Sequence, residues 1–262
     1  MPNFENLEVI ANGERAGLFL NEPDALNPLR AATLQSLVDA AGWLNQQPQL
    51  KVVVIGGRGR AFCAGADVGL VGPARSPDAP GPREMADLGR KMADAIEGIE
   101  AVTVARIHGH CVGGGVVLAT ACDLRLASSD AAFRIPEVDL GIPLAWGGMP
   151  RLVREIGALM TRELVMTCRV FDAEEARRIG FLNRVVAGSE LDAAVEAMVA
   201  ELVGKSRYAL LSTKRQTQAI TAGMVGLPGS VLDADLLVAG LRDPEGQEKA
   251  QAYLKRVFAR RK

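Results

Sequence analysis

Two short runs limit the fold more than any other part of the chain. Lys51-Val52-Val53-Val54-Ile55 stops at Gly56-Gly57, and Ala101-Val102-Thr103-Val104-Ala105-Arg106-Ile107 stops at His108-Gly109. Both are short, mostly apolar and rich in β-branched residues, so each reads as a buried strand. A short helix is expected after Gly113-Gly114-Gly115 and another strand around Asp123–Ala127. The middle of the chain therefore reads as repeated strand–helix units of an α/β fold. Before it, Leu7–Asn12 and Ala16–Asn21 flank Asn12-Gly13 as a hairpin would, and Leu29 to Leu44 carries apolar residues at helical spacing.

From Ser189 onward the pattern turns helical: Leu191–Leu202, Arg207–Thr221, Leu232–Leu241 and Glu245–Ala259. The change in composition divides a strand-containing core, residues 1–198, from a helical region, 199–262. Gly72 to Pro82 holds four prolines, through which no helix can run. Such a loop is either a mobile cover over a site or a surface excursion.

The formal net charge is −1, which gives no electrostatic case for nucleic acid or an anionic membrane. Val112 to Cys122, the longest apolar stretch, is too short and too glycine-rich to span a bilayer. Met1-Pro2-Asn3-Phe4-Glu5 shows no basic region leading into an apolar run, so a cytoplasmic protein is expected. Cys63, Cys111, Cys122 and Cys168 form no C-x-x-C pair and read as buried thiols of a reducing compartment. No metal-ligand spacing is present.

Chemistry concentrates where two strands run into glycine. The first segment is Gly56-Gly57-Arg58-Gly59-Arg60-Ala61-Phe62-Cys63-Ala64-Gly65-Ala66-Asp67, the second Ile107-His108-Gly109-His110-Cys111-Val112-Gly113-Gly114-Gly115. Glycine permits backbone paths closed to other residues, and a starting helix has amides without partners. Two such turns can aim N–H groups at one anion, or at an oxygen becoming one. Neither segment fits a phosphate-binding G-x-x-x-x-G-K-[ST] or a G-x-G-x-x-G opening a helix.

Phe62-Cys63-Ala64-Gly65-Ala66-Asp67, and Gly113-Gly114-Gly115 followed by Ala121-Cys122-Asp123-Leu124-Arg125, resemble the two signature segments of the enoyl-CoA hydratase/isomerase (crotonase) family. Asn21-Glu22-Pro23 with Ala25-Leu26-Asn27, Ile135-Pro136-Glu137 with Leu140-Gly141, and Ala173-Glu174-Glu175-Ala176 continue the likeness. The resemblance implies a spiral of repeated ββα units with a C-terminal helical trimerisation region, and a homotrimer or dimer of trimers. It implies an acyl-CoA substrate with no further cofactor, as in fatty acid metabolism. It places the amides of Ala64 and Gly114 around a thioester oxygen. Substrate contacts would come from Ala25, Leu26, Ala64, Gly65, Ala66, Asp67, Gly114, Val117, Ala145 and Trp146.

Glu137 stands where the family carries a catalytic glutamate. The family's hydratases have a second glutamate at the position of Val117. A valine can neither hold a water nor move a proton, which disfavours hydration of the usual kind. One carboxylate suffices to carry a proton from one carbon to another, so the leading expectation is an isomerase with Glu137 as shuttle. Hydration, thioester hydrolysis and decarboxylation use the same oxyanion site and stay open, as does a non-catalytic acyl-CoA binder. Trp146 either walls the acyl pocket, favouring a short or ring-shaped group, or packs in the core or at a subunit contact. His108 and His110 read as structural, and Glu84 and Asp87 as a solvated helix face. Lys255, Arg256, Arg260, Arg261 and Lys262 read as a solvated helix end, or secondarily as a contact to coenzyme A phosphates.

Overall fold

The computed structural model describes residues 2–67, 81–226 and 232–259. Most of the proline-rich segment, residues 72–80, lies outside the described residues, as do Arg260, Arg261 and Lys262. The hairpin forms as expected: β1 (Leu7–Asn12) and β2 (Arg15–Leu20) pair antiparallel, with Gly13 at φ 61° in the turn. From there the sheet is parallel. It runs β1-β2-β3-β4-β6-β9, with β3 at Val52–Gly57, β4 at Val102–Ile107, β6 at Leu124–Ser128 and β9 at Arg184–Val186.

The unbroken apolar character of β3 and β4 now has its reason. Val53, Ile55 and Ala105 face the main core, while Val52, Val54 and Val104 face a second cluster under α6 (Leu191–Val203). Both faces are covered, so neither can alternate with polar residues. The boundary drawn between residues 198 and 199 falls inside α6, whose Leu191, Val195, Met198 and Val199 pack on the sheet.

A smaller sheet of β5 (His110–Val112), β7 (Ala132–Arg134) and β8 (Phe171–Asp172) lies across the core. Single bridges from Cys63 to Cys111 and from Leu29 to Ala66 extend the same pattern. Each turn of the chain thus gives a strand to the large sheet, a short extended piece beside the small one, and then a helix. The helices are α1 (Ala31–Asn45), α2 (Pro82–Glu97), α3 (Gly114–Thr120) and α4 (Gly148–Thr167), the last interrupted at Gly157. This is the expected spiral. After α5 (Ala173–Arg178) and α6 come α7 (Arg207–Met224), α8 (Asp233–Arg242) and α9 (Pro244–Ala259). All four cysteines are buried. Among the described residues, no helix is long and apolar enough to cross a membrane.

Candidate active site

The two glycine segments lie side by side. Phe62 and Cys63 donate their amides to the carbonyls of His108 and His110 at 2.8 and 3.0 Å, and Val112 donates back to Cys63 at 3.0 Å. Asn27, 1% exposed, braces the first segment from behind. Its Nδ2 donates to the carbonyls of Arg58 and Ala61 at 2.9 Å each, and its Oδ1 accepts from the Glu22 amide at 2.9 Å.

The direction of the amides corrects one expectation. Ala64 donates its N–H to the Leu26 carbonyl at 2.9 Å, so it is not free for a ligand. The amide of Ala66, two residues on, has no acceptor among the described residues, nor has that of Gly114. Gly65, at φ +92°, produces this reversal. A Cβ there would sit 2.7 Å from the Val112 carbonyl oxygen and 3.7 Å from the Gly114 nitrogen, so the two turns meet at this glycine. Gly114 opens α3, where the first amides have no helical partner.

A cavity of about 140 Å³ opens at this meeting point. Ala64, Gly65, Ala66, Asp67, Gly114, Val117, Glu137, Ala145 and Trp146 all line it. Ala25 and Leu26 stay outside it, behind the first turn. Met85 and Ala86 of α2, Leu237 and Leu241 of α8, and Tyr253 of α9 complete its wall. No feature of the sequence distinguished these five as site residues: the helices were legible, but not where they would dock.

Of the described lining residues, Asp67, Glu137 and Tyr253 are ionisable. Asp67 meets Arg30 Nε at 3.0 Å. Glu137 has a different environment. Its Oε2 is buried with no hydrogen-bond partner among the described residues, and its Oε1 lies against Gly113, where a Cβ would come within 2.6 Å. Burial disfavours the charged carboxylate and pushes its pKa up to about 7. The group therefore stands near the midpoint of its titration at neutral pH, where a proton carrier works best.

Val117, which lines the same cavity, is 1% exposed and packed against Gly148, where a Cβ would meet Val117 Cγ2 at 2.9 Å. Trp146 is at once pocket wall and core. Its indole lies between Gly89 of α2 and Gly114, either of which would collide with it if given a Cβ. The loop after Glu137 meets the C-terminal helices backbone to backbone. A Cβ on Gly141 would fall 2.3 Å from the Gly246 oxygen, and one on Gly240 or Gly246 about 3 Å from the Gly141 oxygen.

The histidines stay outside the cavity. His108 lies 2.8 Å from the Gly59 carbonyl oxygen through Nε2 and 2.9 Å from Arg106 through Nδ1, and burial lowers its pKa. Glu84 is exposed and Asp87 half-buried, and neither lines the cavity.

Two adjoining glycine turns, whose Ala66 and Gly114 amides have no acceptor among the described residues, and one buried carboxyl meet at an apolar cavity. The arrangement is chemically able to stabilise an oxygen that gains negative charge. The comparisons with known proteins agree. The family model for enoyl-CoA hydratase/isomerase matches residues 16–259. A crotonyl-CoA hydratase from Syntrophomonas wolfei is 36% identical over 212 residues, covering 80% of each chain. A peroxisomal Delta(3,5)-Delta(2,4)-dienoyl-CoA isomerase from Arabidopsis thaliana is 34% identical over 227 residues, 82% of each. Among solved structures, an enoyl-CoA hydratase from Mycobacterium avium subsp. paratuberculosis superposes with a TM-score of 0.86 at 26% identity, over 96% of this chain and all of the other. The chain belongs to the enoyl-CoA hydratase/isomerase (crotonase) family, and is a hydratase or isomerase of that family.

Proposed function

We propose that this protein moves a double bond along a short enoyl-CoA, with Glu137 as the only proton carrier. The thioester oxygen of a 3-enoyl-CoA accepts from the Ala66 and Gly114 amides, in place of the Ala64 and Gly114 pair first expected. The Glu137 carboxylate removes a proton from C2, and the electron pair spreads through a dienolate whose charge rests on that oxygen. The protonated Glu137 then gives its proton to C4, leaving a 2-enoyl-CoA and a restored carboxylate.

One observation carries this reading: of the two carboxyls that line the cavity, Asp67 is paired with Arg30, while Glu137 is buried near neutral pKa without an ion pair among the described residues, and the position of a hydratase's second glutamate is the cavity-lining Val117. The short acyl group is supported by the cavity, which is close in size to engineered cavities of about 150 Å³ that take a benzene ring. It is supported also by relatives named crotonyl-CoA hydratase and short-chain-enoyl-CoA hydratase.

The test is a panel of 2- and 3-enoyl-CoA thioesters followed for isomerisation, hydration and hydrolysis together. Isomerisation should exceed hydration, and Glu137→Gln should remove it while acyl-CoA binding persists. Dominant hydration would favour the second reading, which the hydratase relatives support. A non-catalytic binder would exchange no α-proton of a saturated acyl-CoA in heavy water.

Association into a trimer or dimer of trimers belongs to the same reading. Large exposed apolar residues such as Leu159 and Met166 on α4 and Ile220 and Met224 on α7 support it, and sedimentation would measure it.

A further inference from the structure

Trp146 adopts φ 62°, a left-handed conformation that is strained for a bulky residue and persists only where its surroundings impose it. The surroundings converge on the next residue, Gly147. Its N–H donates to Oδ2 of Asp233 at 2.7 Å, and its carbonyl accepts from Arg151 at 3.3 Å. Arg151, 2% exposed, is held in turn by Asp94 at 2.9 Å and by Glu97 at 2.5 Å, both on α2. The same helix carries Gly89, against which the indole lies. Three helices, α2, α4 and α8, thus fix the peptide units on both sides of Gly147, the first of which carries the Trp146 carbonyl and so sets the angle of the indole over Gly114.

Asp233 is the member of this group contributed by the C-terminal region. It is 8% exposed and begins α8, yet among the described residues it accepts from no amide of its own helix. Its bond crosses to Gly147 instead. Leu237 and Leu241 follow it at intervals of four, on the face of α8 that lines the cavity. One carboxylate therefore ties the helix covering the cavity to the residue that walls it.

We infer that Asp233 is a positioning residue which, by holding Gly147, sets the stance of Trp146 and with it the length of acyl chain the site accepts. The inference rests on the acyl-pocket reading above. Asp233 touches no reacting atom, and its effect falls on discrimination between acyl groups.

The experiment uses the full chain with Trp43→Phe, which leaves Trp146 as the one tryptophan. Asp233→Ala removes the acceptor, Asp233→Ser shortens it beyond reach, and Asp233→Asn keeps an oxygen for the Gly147 amide. Isomerisation kcat/KM is measured for 3-enoyl-CoA substrates of four, six, eight and ten carbons, beside Trp146 emission and its quenching by acrylamide. In the alanine and serine variants the eight-to-four-carbon ratio should rise about tenfold, the scale of discrimination by a hydrophobic pocket. Emission should move to the red and quenching should increase. Asparagine should leave all three where they were, which loss of a buried charge alone would not explain.

An unchanged length ratio in whichever of the alanine and serine variants folds overturns the proposal, as does an asparagine variant that behaves like them. If the protein with Asp233 intact turns over no acyl-CoA of any length, the functional reading fails instead. Trp146 emission then decides by itself whether Asp233 holds the indole.

Discussion

Where the segment from Ala61 to Ala66 meets the segment from Gly109 to Gly115, the cavity wall is main chain. Adjoining it, between Pro136 and Gly147 and along α8, the wall is side chains: Glu137, Leu144, Trp146, Leu237. The first wall is held by hydrogen bonds between neighbouring turns and offers two amides. Those amides suit any thioester whose oxygen gains charge, whatever happens further along the acyl group. In the reaction proposed above, the second wall would decide what does happen, through one carboxyl, and to how long a chain, through one indole. On that proposal, general chemistry is in the backbone and particular chemistry in the side chains.

The comparison can be broken most severely at Gly65. Gly65→Ala would force a Cβ to within 2.7 Å of the Val112 oxygen at φ +92°. Loss of one oxyanion donor alone costs about 10²–10³ in kcat, and strain adds a drop in melting temperature. Turnover and thermal unfolding measured together check this, and an alanine variant of native activity would show that the first wall is not a rigid backbone cradle.

Glu137→Gln should cost about 10²–10⁴ in isomerisation with acyl-CoA binding kept. It should also stabilise the fold, because the native carboxyl binds its proton more tightly than the unfolded chain does. Below the ordinary carboxylate value both states are protonated and nothing is gained. Between that value and about 7 the native state bears a growing cost, complete above 7. Glutamine should then gain up to roughly 3 kcal/mol at pH 8 relative to pH 4, measured by denaturant unfolding.

The pH profile separates base from acid. If Glu137 acts first as a base, kcat/KM for a 3-enoyl-CoA rises as pH passes about 7 and levels above it. A descending limb at the same pH would instead mark Glu137 as a proton donor, the role suited to hydration. Smaller still, Trp146→Ala should shift preference toward longer acyl groups by about tenfold in kcat/KM ratio. The least effect is expected at His108, outside both walls: His108→Gln should change turnover by less than about twofold.

How much of this could be read in the sequence follows from the same contrast. β3 and β4 were legible because burial on two faces leaves an apolar run, and Glu137 because a motif of several residues surrounds it. The choice between Ala64 and Ala66 was not legible, since it depends on the rotation of one glycine and not on residue type. α4 was missed because its start follows the left-handed Trp146-Gly147 pair and its middle breaks at Gly157, so no long helical period survives. α8 and α9 were legible as helices from their own spacing. That Leu237, Leu241 and Tyr253 reach the cavity is a long-range fact with no local mark.

The contact among Gly141, Gly240 and Gly246 has a consequence for how the chain can change over time. A methyl on Gly141 would collide with the backbone of Gly246, and one on Gly240 or Gly246 would press on the Gly141 oxygen at about 3 Å. Mutational drift in the tail is therefore tied to a loop far upstream. Apart from Asp233 and the cavity-lining Leu237, Leu241 and Tyr253, the tail's other positions are less constrained, whereas a change at one of these glycines would move the roof of the cavity.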